Sequence, residues 1–278
     1  MTSHSSADEE IYEIFAIKYA ENNRRVRRDN YLGVTDLHDA PLPMDFFVWV
    51  AKSKNRVILI DSGADQATCL QRGHDFLRCP VQSLSLLSVK PEDVDAVVVS
   101  HMHWDHMGNL EKIPNAKFYV HKSEVAFATG CGMCHPHLRR PYDVEQVCTL
   151  IKALYRDRVE FNGSDRQVAP GITIHHVGGH APGLQIARVR TKRGYVVIAS
   201  DAMHYYENAE MGNPFPVVVN VQEYLDAFPK IDEWADSPDH IVAGHDPIVM
   251  DIYPAFSEST KGIVARLDVA PADRKKVA

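Results

Sequence analysis

The stretch SHMHWDHMGN, residues 100–109, places three histidines and one aspartate within six positions, directly after an apolar run that ends at Val99. Imidazole and carboxylate groups are ligands that suit zinc, and also iron or manganese. A lone histidine at a strand end is usually polar surface, and we interpret His4, His74, His121, His175, His176 and His240 in this way. A random chain, however, seldom crowds four metal-type groups together. The stretch therefore predicts a metal site at the end of a buried strand.

Three further polar residues follow apolar runs later in the chain: His180 in VGGHAPG, Asp201 in IASDA and His245 in VAGHD. Side chains at strand ends can converge across a fold. The seven candidate ligands are His101, His103, Asp105, His106, His180, Asp201 and His245. They exceed the four ligands of one tetrahedral ion, so we expect two divalent ions with Asp201 bridging them. Zinc is the first choice, with manganese, iron or cobalt as alternatives.

Composition and charge exclude several classes of protein. The 278 residues are 45% hydrophobic and 24% charged, which predicts a globular protein with a full core. A net charge of −7 and a pI near 6.1 give no basic face for nucleic acid. We interpret the short basic run at residues 22–28 as a solvated turn or strand edge, because Glu21 and Asp29 flank it.

The sequence predicts a cytoplasmic protein without a membrane partner. No run of about 18 apolar residues is present, and the polar, acidic start does not resemble a signal peptide. The five cysteines are an odd number without a framework spacing, which indicates reduced thiols. We interpret Cys131-x-x-Cys134 as part of a plain loop, because no second cysteine pair accompanies it.

Hydrophobic patterning predicts an α/β protein. Strands are expected at residues 11–20, 45–51, 55–63, 94–101, 116–121, 171–180, 184–191, 194–201 and 240–246. Helices are expected at residues 81–94, where Pro91 begins a new segment, at Asp143–Arg158 with Asp143 as the N-cap, and at 221–235, where Pro229 weakens the pattern. Strands occur in two groups, each followed by helices, without a linker between them. We therefore expect two sheets packed face to face with helices outside, in one domain over residues 1–278 with short flexible termini.

These residues resemble a known family. SHMHWDHMGN is similar to the HxHxDH signature of the metallo-β-lactamase fold, and the later ligands follow in the family's order over roughly residues 45–250. The resemblance implies an αββα sandwich of two mixed sheets with a dinuclear centre at one edge. It implies one ion on His101, His103 and His180, another on Asp105, His106 and His245, and Asp201 between them. It also implies that Asp61 in LIDSG is a structural residue that contacts the metal ligands without binding a metal itself.

Within that superfamily the chain resembles the N-acyl homoserine lactone lactonase-like branch, through its size, Asp201 and the segments at residues 38–50 and 178–185. The branch implies that a metal-bridging hydroxide opens a lactone, with quorum quenching as one role. Lactonases of this branch carry a tyrosine near the bridging aspartate that helps hold the substrate carbonyl. Here His204 and Tyr205 are the candidates for that role. We expect Asp105 to orient the nucleophile and to pass a proton to the leaving alkoxide.

The expected partner is a small molecule with an ester or lactone carbonyl. Its pocket is expected to use the segments Asp36–Asp45 and Met203–Asn220. The same centre could serve a hydrolase of another ester, a thioester or a cyclic amide. A single-iron sulfur dioxygenase, a nucleic-acid processing protein and a non-catalytic binding module are further alternatives. A homodimer is compatible with the sequence.

Overall fold

The computed structural model describes residues 10–33 and 40–274, in which strands and helices alternate along the chain. The strands are β1 Glu13–Asn22, β2 Met44–Lys52, β3 Val57–Ile60, β4 Asp75–Phe76, β5 Ala96–Val98, β6 Lys117–His121, β7 Val159–Asn162, β8 Arg166–Ala169, β9 Ile172–His176, β10 Gln185–Thr191, β11 Gly194–Ile198, β12 Ile241–Val242 and β13 Val264–Arg266. The α-helices are α1 Gln66–Gln71, α2 Lys122–Ala128, α3 Pro136–Arg139, α4 Val144–Leu154, α5 Tyr206–Glu210, α6 Val221–Trp234 and α7 Val249–Ile252.

The strands form two mixed sheets, as the sequence predicts. The first has the order β13-β1-β2-β3-β5-β6-β7, with β4 paired to β1, and the second has the order β12-β11-β10-β9-β8. Strands β3, β5, β6 and β7 run parallel, whereas β1 and β2 pair antiparallel with their neighbours. In the second sheet only the β11–β12 pair is parallel. The structure is therefore of the α/β class, as the sequence predicts.

Parallel strands bring the polar residues at their ends to the same edge. Every residue of β5 is buried, which is typical of a strand covered on both faces. Two backbone hydrogen bonds join the sheets at this edge: Asp45 N–H donates to the His245 carbonyl, and Gln185 N–H donates to the Ser100 carbonyl. The ligand-bearing loops follow β5, β9, β11 and β12, and these two bonds tie the sheets together where the loops meet.

Helix α4 confirms the predicted N-cap, because the Asp143 carboxylate accepts from the backbone N–H groups of Glu145 and Gln146. Helix α6 forms with Pro229 inside it. The predicted helix at residues 81–94 is wrong in type, since that stretch forms 3₁₀ turns at Gln82–Leu87 and Pro91–Asp93. No helix in the described ranges is long and apolar enough to cross a lipid bilayer.

Three strands that the patterning did not predict lie at sheet edges: β7, β8 and β13. Edge strands pair on one side only and are short. Strands β7 and β8 also carry exposed or half-buried polar residues, so they lack the apolar run of a central strand. Strand β4 and the short helices α1, α2, α3, α5 and α7 were likewise not predicted.

Candidate metal centre

The structure brings all seven predicted ligands together in one buried cluster. Two groups of donor atoms can each hold an ion: His101, His103, His180 and Asp201 form one, and Asp105, His106 and His245 form the other. Within each group the donor atoms lie within 4.8 Å of one another. This division is the one that the family resemblance implies. A third group, Asp201, His204 and His245, overlaps with both and offers His204 as a further candidate ligand.

The Asp201 carboxylate lies between the two groups and turns one oxygen to each. Its Oδ2 lies 3.1 Å from His180 Nε2 and 3.6 Å from His101 Nε2. Its Oδ1 lies 3.2 Å from His106 Nε2 and 3.0 Å from His245 Nε2. A carboxylate in this position can bridge two cations.

The remaining contacts fit cations at both positions. His103 Nδ1 lies 2.9 Å from His180 Nε2, and Asp105 Oδ2 lies 3.5 Å from His106 Nε2. The buried Nε2 atoms of His101 and His106 make no hydrogen bond within the described part of the chain. Buried polar atoms are normally satisfied, so orphaned imidazole nitrogens facing a carboxylate fit metal ligation. Imidazole and carboxylate donors suit zinc, manganese, iron or cobalt.

Neighbouring acceptors fix the orientation of three ligand rings. The Nδ1 atom of His106 lies 2.7 Å from Asp61 Oδ2, that of His245 lies 2.7 Å from the Asp45 carbonyl, and that of His180 lies 2.6 Å from the Val217 carbonyl. Because these oxygens accept a hydrogen bond, each Nδ1 carries the proton and each Nε2 presents its lone pair to the centre.

Asp61 holds the metal-binding residues in place without being a ligand itself, as the resemblance implies. Besides facing His106, its carboxylate accepts from the backbone N–H and the hydroxyl of Ser100, each at 2.7 Å. The backbone of Asp61 has a φ of 59°, in the left-handed region that aspartate tolerates better than most residues. Through these hydrogen bonds Asp61, which follows β3, fixes Ser100, the residue directly before the first metal ligand.

A second buried carboxylate, Glu124 on α2, organises the ligand loops and was missed by sequence reasoning. It accepts from the backbone N–H of Met102 at 3.0 Å, from the Tyr142 hydroxyl at 3.0 Å and from the backbone N–H of Gly183 at 2.8 Å. Burial raises the pKa of Glu124, against the effect of these donors. A lone glutamate on a short helix carries no motif that could have identified it.

The charges of the cluster suit bound cations. Burial opposes ionisation of Asp201, but the imidazoles of His204, His106 and His245 outweigh it and hold the pKa of Asp201 well below its usual range. Burial, followed by neighbouring imidazoles, lowers the pKa values of His101 and His103, which keeps those rings neutral. Burial also opposes the charged forms of His106 and His245, but the Asp201 carboxylate outweighs it and raises their pKa values. Because ionised carboxylate and neutral imidazole are the states that bind metal, cation binding here would displace protons from these two rings.

His204 and Tyr205, the two candidates for holding a substrate carbonyl, occupy different places. His204 Nε2 lies 3.0 Å from Asp201 Oδ2, and its Nδ1 lies 3.0 Å from the Tyr224 hydroxyl. Burial, only partly offset by Asp201, lowers the pKa of His204 to about 3, so the ring is neutral. The buried Tyr205 hydroxyl donates to the Pro43 carbonyl at 3.0 Å and lines a different cavity. Of the two candidates, His204 lines the cavity over the ligands and Tyr205 does not, so the role predicted for Tyr205 has no support from its position.

A cavity of about 430 Å³ opens over the ligands, with an aromatic and a basic wall. Its further lining residues are Asn22, Arg25, Met44, Phe46, Arg72, His74, Trp104, Arg140, Pro141, His204, Phe215 and Val217. Met44 and Phe215 come from the two segments predicted to shape the pocket; residues 36–39 of the first segment lie outside the described ranges. Arg25 belongs to the basic run interpreted as solvated, so that interpretation is wrong at this residue.

Two histidines assigned to polar surface are also placed differently. His74 lines the cavity and stacks on Trp104 at a centroid distance of 5.1 Å. His121 is 3% exposed, accepts from the Ser123 backbone N–H at the start of α2 and stacks on His176. His4 lies outside the described ranges. Ring stacking covers His74 in part and His121 almost fully, which single-residue patterns do not show.

Comparisons with known proteins agree with the geometry. Residues 46–245 match the family model of the metallo-beta-lactamase superfamily. The chain is 30% identical over 136 residues to an N-acyl homoserine lactonase of Bacillus cereus, and the match spans 49% of each protein, about half the relative's length. It is 26% identical over 245 residues to an N-acyl homoserine lactonase of Azorhizobium caulinodans, covering 80% of this chain and 87% of that protein.

Among solved structures, a crystal structure of a quorum-quenching N-acyl homoserine lactone lactonase superposes with a TM-score of 0.71. The superposition covers 86% of this chain and 94% of the other, at 21% sequence identity. A likeness at this level of identity shows a common fold.

Proposed function

Because the chain belongs to the metallo-β-lactamase superfamily, we propose that it is a dinuclear metal-dependent hydrolase that opens a lactone ring. The observation that carries the proposal is the position of Asp201, whose two oxygens face separate histidine groups. The N-acyl homoserine lactonases of Bacillus cereus and Azorhizobium caulinodans support a lactone as the substrate.

The ligand set would hold two divalent ions, with zinc as the first choice. When bound, such ions would lower the pKa of a water molecule and stabilise the negative charge that develops on an attacked carbonyl oxygen. The protein's own part is to orient the ligand rings through Asp61, Asp45 and Val217, and to present Asp105 to the reacting atoms.

Asp105 is the proposed proton carrier. Burial raises its pKa, but the His106 imidazole outweighs this and holds the pKa of Asp105 below its usual range, so the group is ionised. The Tyr19 hydroxyl donates to the Asp105 backbone carbonyl at 2.8 Å and fixes the residue. A carboxylate oxygen of Asp105 would accept the proton of the attacking water and return it to the leaving alkoxide oxygen. In a lactone that oxygen remains attached to the product.

His204 is the remaining candidate for contacting the substrate carbonyl. It lines the cavity beside Asp201 and stacks on Phe215 at 3.8 Å, which fixes its plane. The Tyr224 hydroxyl can donate to Nδ1, which leaves a proton on Nε2 facing the centre. A neutral N–H group at this position would stabilise the developing oxyanion.

Hydrolysis of short- and long-chain N-acyl homoserine lactones and of simple γ- and δ-lactones tests the proposal. Protein loaded with zinc or manganese should open a lactone, and metal analysis should give two ions per chain. His103→Ala should lose metal and activity together. His175→Ala is the matched control, because His175 pairs with Asp165 away from the centre.

Two outcomes would overturn the proposal. Activity that survives after the ions are lost would exclude the metal mechanism. Two bound ions without turnover of any lactone would exclude the lactonase and direct attention to aryl esters, thioesters and cyclic amides. A single iron with oxygen consumption would indicate the sulfur dioxygenase alternative.

A further inference from the structure

Resting on the proposed hydrolase function, we propose that the substrate is an anionic lactone, whose carboxylate is bound by Arg25, Arg72 and Arg140 on the basic wall of the cavity. The three guanidinium groups come from separate parts of the chain. Arg25 follows β1, Arg72 ends α1 and Arg140 follows α3, yet all three line the cavity that contains the metal ligands. The fold thus gathers three positive charges beside the site of hydrolysis.

Arg25 and Arg72 are held in place by neutral groups. Arg25 Nε donates to Asn30 Oδ1 at 2.6 Å, and its guanidinium lies 5.2 Å from the Phe215 ring centroid. Arg72 donates to the carbonyls of Arg140 and Tyr142 at 2.8 and 3.1 Å, and lies 5.0 Å from the Trp104 ring. These contacts orient the two side chains without neutralising their charge.

Within the described ranges, none of the three cavity arginines forms an ion pair with a carboxylate, and the Arg140 side chain makes no hydrogen bond. Other arginines of the chain do pair: Arg27 with Glu207, Arg56 with Glu10, and Arg266 with Asp268. Burial, which is the largest effect, lowers the pKa values of Arg25 and Arg72. Carboxylates at longer range act against this shift, Asp29 on Arg25 and Asp105 and Asp143 on Arg72, and Arg140 is exposed. Partly desolvated arginines without a paired carboxylate, such as Arg25 and Arg72, fit a site that receives an anion.

The acidic residues of the cavity do not supply the missing counter-charge. The carboxylates that line it are Asp105 and Asp201, and both belong to the metal groups. Two divalent ions would bring four positive charges to these two carboxylates, so the centre itself would be positive. The three arginines therefore lie beside a metal centre that would itself be positive. The cavity as a whole favours a negatively charged ligand.

A neutral lactone gives these arginines no partner. An N-acyl homoserine lactone has an amide and an ester but no ionised group, whereas guanidinium recognises a carboxylate through paired hydrogen bonds. The aromatic residues Phe46, Trp104 and Phe215 beside the arginines suit a flat apolar body. A ring-fused lactone with a carboxylate at its far end combines both features.

Phthalide-5-carboxylate and phthalide-5-carboxamide form a suitable pair of probes, since they share the lactone and differ in one charge. The metal-loaded protein should show a kcat/KM for the carboxylate at least tenfold above that for the amide, mainly through KM. Arg25→Gln and Arg140→Gln should each reduce this ratio by about tenfold, because a charge-assisted hydrogen bond is lost. Arg24→Gln and Arg139→Gln are matched controls, because these neighbours lie outside the cavity lining.

Isothermal titration of both probes gives a readout that does not depend on turnover. The carboxylate should bind at least tenfold more tightly than the amide, and its affinity should fall as ionic strength rises. Equal binding of the two probes, or a preference that survives both arginine substitutions, would overturn the anionic-substrate proposal even if lactones are opened. Selective binding of the carboxylate without opening of any lactone would instead refute the proposed function and leave the anion site standing.

Discussion

The Glu124 carboxylate accepts a hydrogen bond from the backbone N–H of Gly183 at 2.8 Å. Its other oxygen accepts from the backbone N–H of Met102 at 3.0 Å. Met102 lies between the ligands His101 and His103, and Gly183 closes the loop that carries His180. One buried side chain, which is not itself a ligand, therefore joins the loops that supply the three histidines of one metal group.

Replacing Glu124 with glutamine should destabilise the protein. The amide can offer only one acceptor oxygen, so one backbone donor loses its partner in a buried place, at a cost of about 1–3 kcal/mol in the free energy of unfolding. Urea denaturation of metal-free Glu124→Gln measures this loss. Glu145→Gln, at an exposed position on α4, is the control. Equal stability of Glu124→Gln and the parent protein would show that the carboxylate does not hold the loops.

Gly183→Ala should disturb the same junction by steric overlap. A Cβ atom at residue 183 would lie 2.4 Å from the Glu124 Cβ and 2.5 Å from its backbone nitrogen. Neither atom can move without shifting α2, so we expect a lower melting temperature and weaker zinc binding. Gly163→Ala is a matched control, because its Cβ would meet the flexible end of Lys122. If both variants melt at the same temperature, the packing at Gly183 is not restrictive.

Asp61→Asn should weaken metal binding, and it should also cost some stability, because the amide offers only one acceptor oxygen to the donors of Ser100 and His106. Asparagine has the same shape and tolerates the left-handed backbone found at residue 61. It removes the negative charge 2.7 Å from His106 Nδ1, and loss of such a partner typically lowers metal affinity by about 10–100-fold. Competition with a chromophoric chelator measures the affinity. An unchanged affinity would mean that Asp61 serves only the backbone turn.

His74 should make folding stability depend on pH. Burial lowers the pKa of His74 from 6.5 to about 4, so the unfolded chain binds a proton more readily than the folded chain between these values. Stability should therefore decrease as pH falls from about 6.5 towards 4. In His74→Phe, which retains a ring against Trp104, this decrease should be smaller. Denaturant melts at several pH values would contradict the assignment if the two proteins lost stability in parallel.

The sequence identified site residues where metal-binding side chains directly follow a strand with a recognisable apolar pattern. His101, His103, Asp105 and His106 could be assigned because several metal-type side chains follow directly on a buried strand. Arg25 and Glu124 could not, because their roles depend on what folds against them. From the sequence, Arg25 is predicted to be solvated, because nothing near it in the chain shows that Phe215 packs against it. Glu124 on its short helix is likewise predicted to be exposed, because the two loops that donate hydrogen bonds to it are distant in sequence.

The same distinction applies to the fold. Central strands such as β5 are apolar throughout and were predicted, whereas the edge strands β7, β8 and β13 pair on one side and were not. Edge pairing is decided by the neighbouring strand rather than by the edge strand's own sequence. The αββα architecture could be predicted without those edges, because the central strands of both sheets and the ligands at their ends define it.

His204 should affect turnover more than metal content. If its Nε2–H stabilises the developing oxyanion, His204→Phe, which can still stack on Phe215, should lower kcat by about 10²–10³ with little change in KM. Both ions should remain bound, since the seven predicted ligands are intact. Metal analysis and steady-state kinetics of His204→Phe test this prediction. Tyr205→Phe, which removes the hydroxyl bonded to Pro43, is the control. Loss of one ion from His204→Phe would instead identify His204 as a ligand, a role that its proximity to Asp201 and His245 also allows.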